Sequence, residues 1–293
     1  MKLRYLLILV LAISLLGCIS LPQTPAGGTT QPPVAVVNKT VPAAEQVEIN
    51  VGTTENGNNS AAAVEEEVKK ADSKEIHFRT TDQWDIYASV YYAKITNPEK
   101  AIVLLHQFGS DRSDFDSLVP VLRQQFPDYD IVVLDMRGHG KSTNLGSYSK
   151  FQTGDFRAMK NDLKALKVYE QVNRPSMKKY YLVGSSLGSS VALDYAVDDS
   201  DVFSVIMISP GLNYQGYDVT EKAQSYLRRL FLAVAEQDTY SKTSADQIYS
   251  TSPSDIKDEK VYYGIGAHGN ALFAATASGA EPLSSKIVSW LNR

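Results

Sequence analysis

Two textures of hydrophobic and polar residues succeed one another along the C-terminal three quarters of the chain. Glu75–Thr80 and Trp84–Ala93 alternate polar and apolar side chains around a polar turn, which predicts a half-exposed hairpin. Beyond it come short solid apolar runs: Ala101–Leu105, Ile131–Leu134, Tyr180–Val183, Val202–Ile208, Leu230–Ala235 and Val261–Tyr263. They alternate with helical stretches at Ser113–Phe126, Phe156–Asn173 and Leu187–Val197. Runs without polar alternation are strands covered on both faces, so the pattern predicts an α/β fold, a mostly parallel central sheet with helices on both faces.

The N-terminal part reads differently. Lys2 and Arg4 precede an apolar stretch, Tyr5–Leu16, broken only by Ser14 and ending Leu15-Leu16-Gly17-Cys18. This is the layout of an export signal. It falls short of the roughly 20 residues needed to cross a bilayer. The string L-L-G-C resembles the lipobox of exported lipoproteins. That resemblance implies that Cys18, the only cysteine, is lipidated and becomes the mature N-terminus, making the membrane a partner and placing the rest outside the cytoplasm. From Ile19 to Ile76 there is none of the chain's 17 Tyr, 9 Phe and 2 Trp, while Pro, Gly, Thr, Asn and Ala abound. Such a stretch cannot bury enough apolar surface to offset chain entropy, and as a flexible tether it would span roughly 40 Å. The expected organisation is a signal peptide over 1–17, a lipid-anchored disordered linker over 18–73 and a folded domain over 74–293.

Composition narrows the function classes. With 29 basic against 33 acidic residues and a net charge of -4, there is no excess cation to neutralise phosphates, so nucleic acid is not an expected partner. One cysteine cannot form an internal disulfide, and four scattered histidines carry no metal-ligand spacing, so no metal is expected.

The strongest chemical signal is Gly184-Ser185-Ser186-Leu187-Gly188, directly after an apolar strand and directly before a helix. A serine on so sharp a turn is pushed out of the sheet, and glycines two positions either side let helix and strand approach. Ser186 is the candidate nucleophile and Ser185 a structural neighbour. The Leu187 amide, at a helix N-terminus, is placed to hold an oxyanion. A serine needs a base, and His268, in the loop Gly264–Gly269, is the one histidine that follows it in the chain. A carboxylate must orient that imidazole. Asp238, just beyond the run Leu230–Ala235, is the first choice, with Glu236 in reserve. Since a histidine base must be neutral, activity is expected to rise with pH through about 6 to 7.

These residues resemble the α/β-hydrolase superfamily over roughly residues 74–293, in its serine esterase and monoacylglycerol-lipase-like branch. The order Ser186, Asp238, His268 is that family's order. His106-Gln107-Phe108-Gly109 looks like its H-G-x-G segment, which implies that the Gln107 or Phe108 amide is the second oxyanion donor. Asp135-Met136-Arg137-Gly138-His139-Gly140-Lys141-Ser142 is similar to its D-x-R-G-x-G-x-S loop, which implies that Arg137 and His139 brace loops. The resemblance implies an α/β-hydrolase fold, no cofactor and a small acyl ester as substrate. Where many members insert a cap, Pro210–Arg229 leaves room for one short helix around Val219–Arg228, so the expected cap is minimal and the site open. The same triad would serve a peptidase, thioesterase or acyltransferase. A tethered binding or scaffold protein that kept the fold without the chemistry is the alternative of another class.

Overall fold

The computed structural model describes residues 73–293. The expected signal peptide over 1–17, Cys18 and all but residue 73 of the expected linker lie outside the described residues. The alternating segment forms β1 (Lys74–Arg79) and β2 (Asp85–Tyr91), an antiparallel pair with Lys74 opposite Val90 and Arg79 opposite Asp85. Alternate residues Ile76, Phe78, Ile86, Ala88 and Val90 are buried, as period-two patterning requires.

The solid apolar runs are the remaining strands: β3 (Lys100–Leu105), β4 (Asp130–Asp135), β5 (Lys179–Ser185), β6 (Val202–Ile208), β9 (Arg229–Ala235) and β10 (Lys257–Tyr262). The sheet runs β1-β2-β4-β3-β5-β6-β9-β10, with β2 antiparallel to both neighbours and every other pair parallel. Alternate side chains of one strand enter opposite cores. Ala101, Val103 and Leu105 face one, while Ile102 and Leu104 face the other. The first core is closed by α2 (Thr153–Ala158), α3 (Lys160–Asn173), α4 (Leu187–Asp198), α5 (Thr220–Ser225) and α6 (Thr239–Thr251). The second is closed by α1 (Leu118–Gln125), α7 (Ala271–Thr276) and α8 (Leu283–Leu291). This is the mostly parallel sheet covered on both faces that the apolar runs predict.

Local details differ from the pattern for identifiable reasons. The helix expected over Ser113–Phe126 is split into a single 3-10 turn, Arg112–Phe115, and α1. Pro120 has no N–H to offer a carbonyl one turn earlier, so a helix containing it must start close before it. The stretch Phe156–Asn173 starts earlier, where the Asp155 carboxylate accepts the Gln152 N–H at 2.7 Å, and breaks at Met159 into α2 and α3. Strand β10 begins four residues before the expected Val261, because an edge strand with one partner tolerates the charged Lys257–Lys260. The connector Pro210–Arg229 holds the short helix α5 and also a small hairpin, β7 (Asn213–Tyr214) with β8 (Tyr217–Asp218). Its turn residues Gln215 and Gly216 both have positive φ, which matches the twist of a two-residue hairpin.

Candidate active site

The carboxyl ends of β3, β5, β6 and β9 meet at one edge of the sheet, and the chemistry-bearing loops leave from there. Strand β5 ends at Ser185 and α4 starts at Leu187, so the whole reversal falls on Ser186. Its φ of 51° and ψ of -115° are strained for a residue with a Cβ. The surroundings hold it there. Its N–H donates to the Ile208 carbonyl at 2.8 Å, and its own carbonyl accepts from the Ser189 N–H at 3.0 Å. A Cβ on Gly188 would sit 2.2 Å from the Leu105 carbonyl oxygen, and one on Gly184 would sit 2.3 Å from that of Gly188. Two backbones therefore cross at contact distance beneath the serine, which no other residue type allows.

Ser186 Oγ lies 2.8 Å from His268 Nε2, and His268 Nδ1 lies 2.7 Å from Asp238 Oδ2. The three residues are 82 and 30 positions apart along the chain, and the sheet edge brings them into one line. The Asp238 side chain is 11% exposed and that of His268 is 47% exposed, so the carboxylate is shielded and the imidazole is open to a substrate. Glu236 does not reach the imidazole, because its Oε2 accepts the Gly264 N–H at 2.9 Å. Ser185 is fully buried beneath the turn. A further neighbour escaped sequence reasoning. Ser241 Oγ, buried in the first turn of α6, sits 3.3 Å from His268 Nδ1. Its position three residues after Asp238, on the inward face of a helix that the Ser/Thr-rich sequence conceals, was the only available signal.

Of the three proposed backbone donors of the site, Leu187 opens α4, while Gln107 and Phe108 follow β3 and His106. The Gln107 N–H is already committed, donating to Asp114 Oδ2 at 3.2 Å. His106 is wholly buried. It accepts the Met136 N–H on Nε2 at 3.0 Å and places Nδ1 2.7 Å from the Gln107 carbonyl. Burial pushes its pKa down to about 4, so it is a neutral strut. Burial, with His106 beside it, does the same to His139, which stacks on Tyr148 with ring centroids 4.4 Å apart. Arg137 bonds Asp162 through Nε at 2.8 Å and Asp82 at 2.6 Å. Above this floor the rings of Phe108, Tyr148, Phe156 and Tyr214 form an aromatic wall, with Phe108 5.0 Å from Tyr148 and 5.3 Å from Tyr214. Tyr214 comes from the β7–β8 hairpin, and nearly half of the His268 side chain remains exposed to solvent.

Such an arrangement can pass a proton from a hydroxyl to an imidazole whose far side is held by a carboxylate. Among the described residues, no three His, Cys, Asp or Glu side chains gather where they could hold a metal. Residues 96–264, more than half of the chain, match the family described as serine aminopeptidase, S33. The chain belongs to that family of α/β-hydrolases. As a member of the S33 family it is a hydrolase, and its sheet is that fold's. It is 27% identical over 121 residues to a protein of Bacillus subtilis (strain 168) called uncharacterized hydrolase YugF, an alignment that spans 41% of this chain and 40% of that relative. Its fold is similar to that of the Pyrococcus furiosus esterase Pf2001, with a TM-score of 0.60 at 18% identity, covering 78% of this chain and 94% of that one. It is also similar to a thermostable carboxyl esterase from Bacillus coagulans, with a TM-score of 0.59 at 13% identity, covering 75% of this chain and 98% of that one.

Proposed function

We propose that this S33-family hydrolase is a carboxylesterase working through Ser186, His268 and Asp238, held outside the cytoplasm by a lipid on Cys18. The observation that carries the chemistry is the unbroken line Asp238 Oδ2, His268 Nδ1, His268 Nε2, Ser186 Oγ, with both contacts at hydrogen-bond length. Ser186 Oγ bonds to the ester carbonyl carbon as its proton passes to His268 Nε2. The carbonyl electron pair moves onto oxygen, where the Leu187 and Phe108 N–H groups receive it. Phe108 is the second donor because Asp114 occupies the Gln107 N–H. Collapse expels the alcohol, which takes the proton from Nε2 and leaves an acyl-enzyme. Water then attacks by the same route, releasing the acid and restoring Ser186. Asp238 accepts the Nδ1–H and keeps the imidazole in the tautomer that this exchange needs.

An ester fits better than a charged substrate because the wall beside Phe108 is aromatic and the fold neighbours include esterases. A fluorophosphonate probe is expected to label the wild type and Ser185→Ala and to leave Ser186→Ala unlabelled. Absence of labelling in the wild type would favour a non-catalytic binding protein. Parallel panels of aliphatic esters and amino-acid amides then separate esterase from peptidase activity. For the anchor, Cys18→Ser is expected to move the protein from the detergent phase to the aqueous phase on Triton X-114 partitioning of cell lysates. Retention of both variants in the aqueous phase would remove the lipid from the reading.

A further inference from the structure

The residue that departs from the H-G-x-G pattern is Gln107, and its side chain does something a glycine could not. Its Oε1 accepts the Asn270 N–H at 3.2 Å, across 163 positions of chain. Asn270 precedes α7, and His268 lies two residues before it. The same loops are joined a second time, as Asn270 Nδ2 donates to the Asp114 carbonyl. Asp114 in turn accepts the Gln107 N–H at 3.2 Å and the Ser110 hydroxyl at 2.5 Å. On its other side the histidine loop is pinned by the Gly269 N–H donating to Ser209 Oγ at 2.8 Å. The fit is close. A Cβ on Gly269, whose φ is +57°, would lie 2.0 Å from Gln107 Oε1, so the glutamine occupies the space that a glycine leaves.

We infer that Gln107 is a positioning residue that clamps the His268 loop to the oxyanion loop through Asn270, setting base and oxyanion donor relative to one another. The inference rests on the proposed roles of Ser186, His268 and Phe108. Its physical basis is that His268 stands on a loop containing Gly264, Gly266 and Gly269, with half of its side chain free of contacts. Nothing intrinsic to such a loop holds an imidazole to the tolerance that proton transfer needs. The Asn270 amide is also one of the unsatisfied donors at the start of α7, so one bond both caps that helix and ties down the loop.

The test uses Gln107→Met, which keeps the volume and removes the acceptor, and Gln107→Gly, which restores the residue commonest at this place in the pattern. Active sites are titrated with the fluorophosphonate, so that kcat refers to folded, competent enzyme. Loss of one such hydrogen bond is expected to lower kcat about tenfold in both variants with KM within about twofold. Hydrogen exchange of the peptide covering residues 264–273 is expected to quicken in both. A kcat per titrated site equal to wild type in Gln107→Met overturns the inference, and so does a lowered kcat with unchanged exchange in 264–273. If the wild type neither labels nor hydrolyses esters, the functional reading has failed on its own. The exchange arm then still decides whether Gln107 holds the loop.

Discussion

Ser186→Ala is expected to reduce kcat for a simple aryl ester by about 10⁴- to 10⁶-fold, leaving a residue of activity above that of water. The size of the effect follows from the geometry. In the proposed mechanism the Oγ is the one atom of the line that bonds to substrate, and with it gone His268 and Asp238 have no group to activate. On the proposed mechanism the remaining rate comes from the amides of Leu187 and Phe108, which would still favour a charged carbonyl oxygen. KM is expected to change little, because the proposed binding of substrate against the aromatic wall does not use the Ser186 hydroxyl. Ser185→Ala should keep nearly the full rate, since that side chain is wholly buried and has no part in the hydrogen-bonded line from Asp238 to Ser186. A Ser186→Ala enzyme within tenfold of wild type, after contaminating activity is excluded by titration, would dismiss the nucleophile assignment.

The second large effect is on stability. Arg137→Met is expected to lower the free energy of unfolding by about 3–5 kcal/mol, as read from urea titration at pH 7. Arg137 is 1% exposed and ties together three separate pieces of chain: the loop after β4, Asp162 on α3, and Asp82 in the β1–β2 turn. Burial raises the Asp162 carboxyl above its ordinary value, and with the guanidinium gone it would be a buried acid without a counter-charge. Burial also acts to raise Asp82, but hydrogen bonds from Arg137 and Thr80 overcome it and hold the group at about 2. Its folded value is thus below the roughly 3.9 of an unfolded aspartate, so its contribution is present above pH 4 and is lost as the pH falls through 2. In Arg137→Met that acid-dependent loss should disappear. Pairing Arg137→Met with Asp162→Leu should recover part of the stability, because the fully buried charge is then gone and Asp82, at 38% side-chain exposure, is solvated, while the N–H of residue 137 loses its acceptor. A loss below 1 kcal/mol in the single variant would show that solvent already screens the pair.

The elements that were legible in the sequence are those whose environment is uniform. Strands β3 to β6 and β9 are buried on both faces, so their apolar runs stand out from neighbours whatever the details of packing. The turn at Gly184–Gly188 was legible for a related reason. Two backbones can cross at 2.2–2.3 Å from an absent Cβ only if both residues are glycine, and that demand is written directly as letters. By contrast, α6 was hidden. Its inward positions include Ser241 and Ser244, small polar residues whose burial depends on the loops packed over them rather than on their own hydrophobicity.

The sequence by itself determined the class of fold, the elbow at Ser186 and the order in which serine, carboxylate and histidine occur, because these follow from local periodicity and steric necessity. It favoured Asp238 over Glu236 by its place just beyond the apolar run Leu230–Ala235, and left Gln107 and Phe108 side by side without a reason to choose. Tertiary structure commits one member of each pair to another partner, and the proposed roles of Asp238 and Phe108 rest on that. Glu236 bonds the Gly264 amide, and the Gln107 amide bonds a carboxylate seven residues on. Such choices depend on directional hydrogen bonds between loops distant in sequence, and a bond between residues 107 and 270 leaves no periodic trace in either segment.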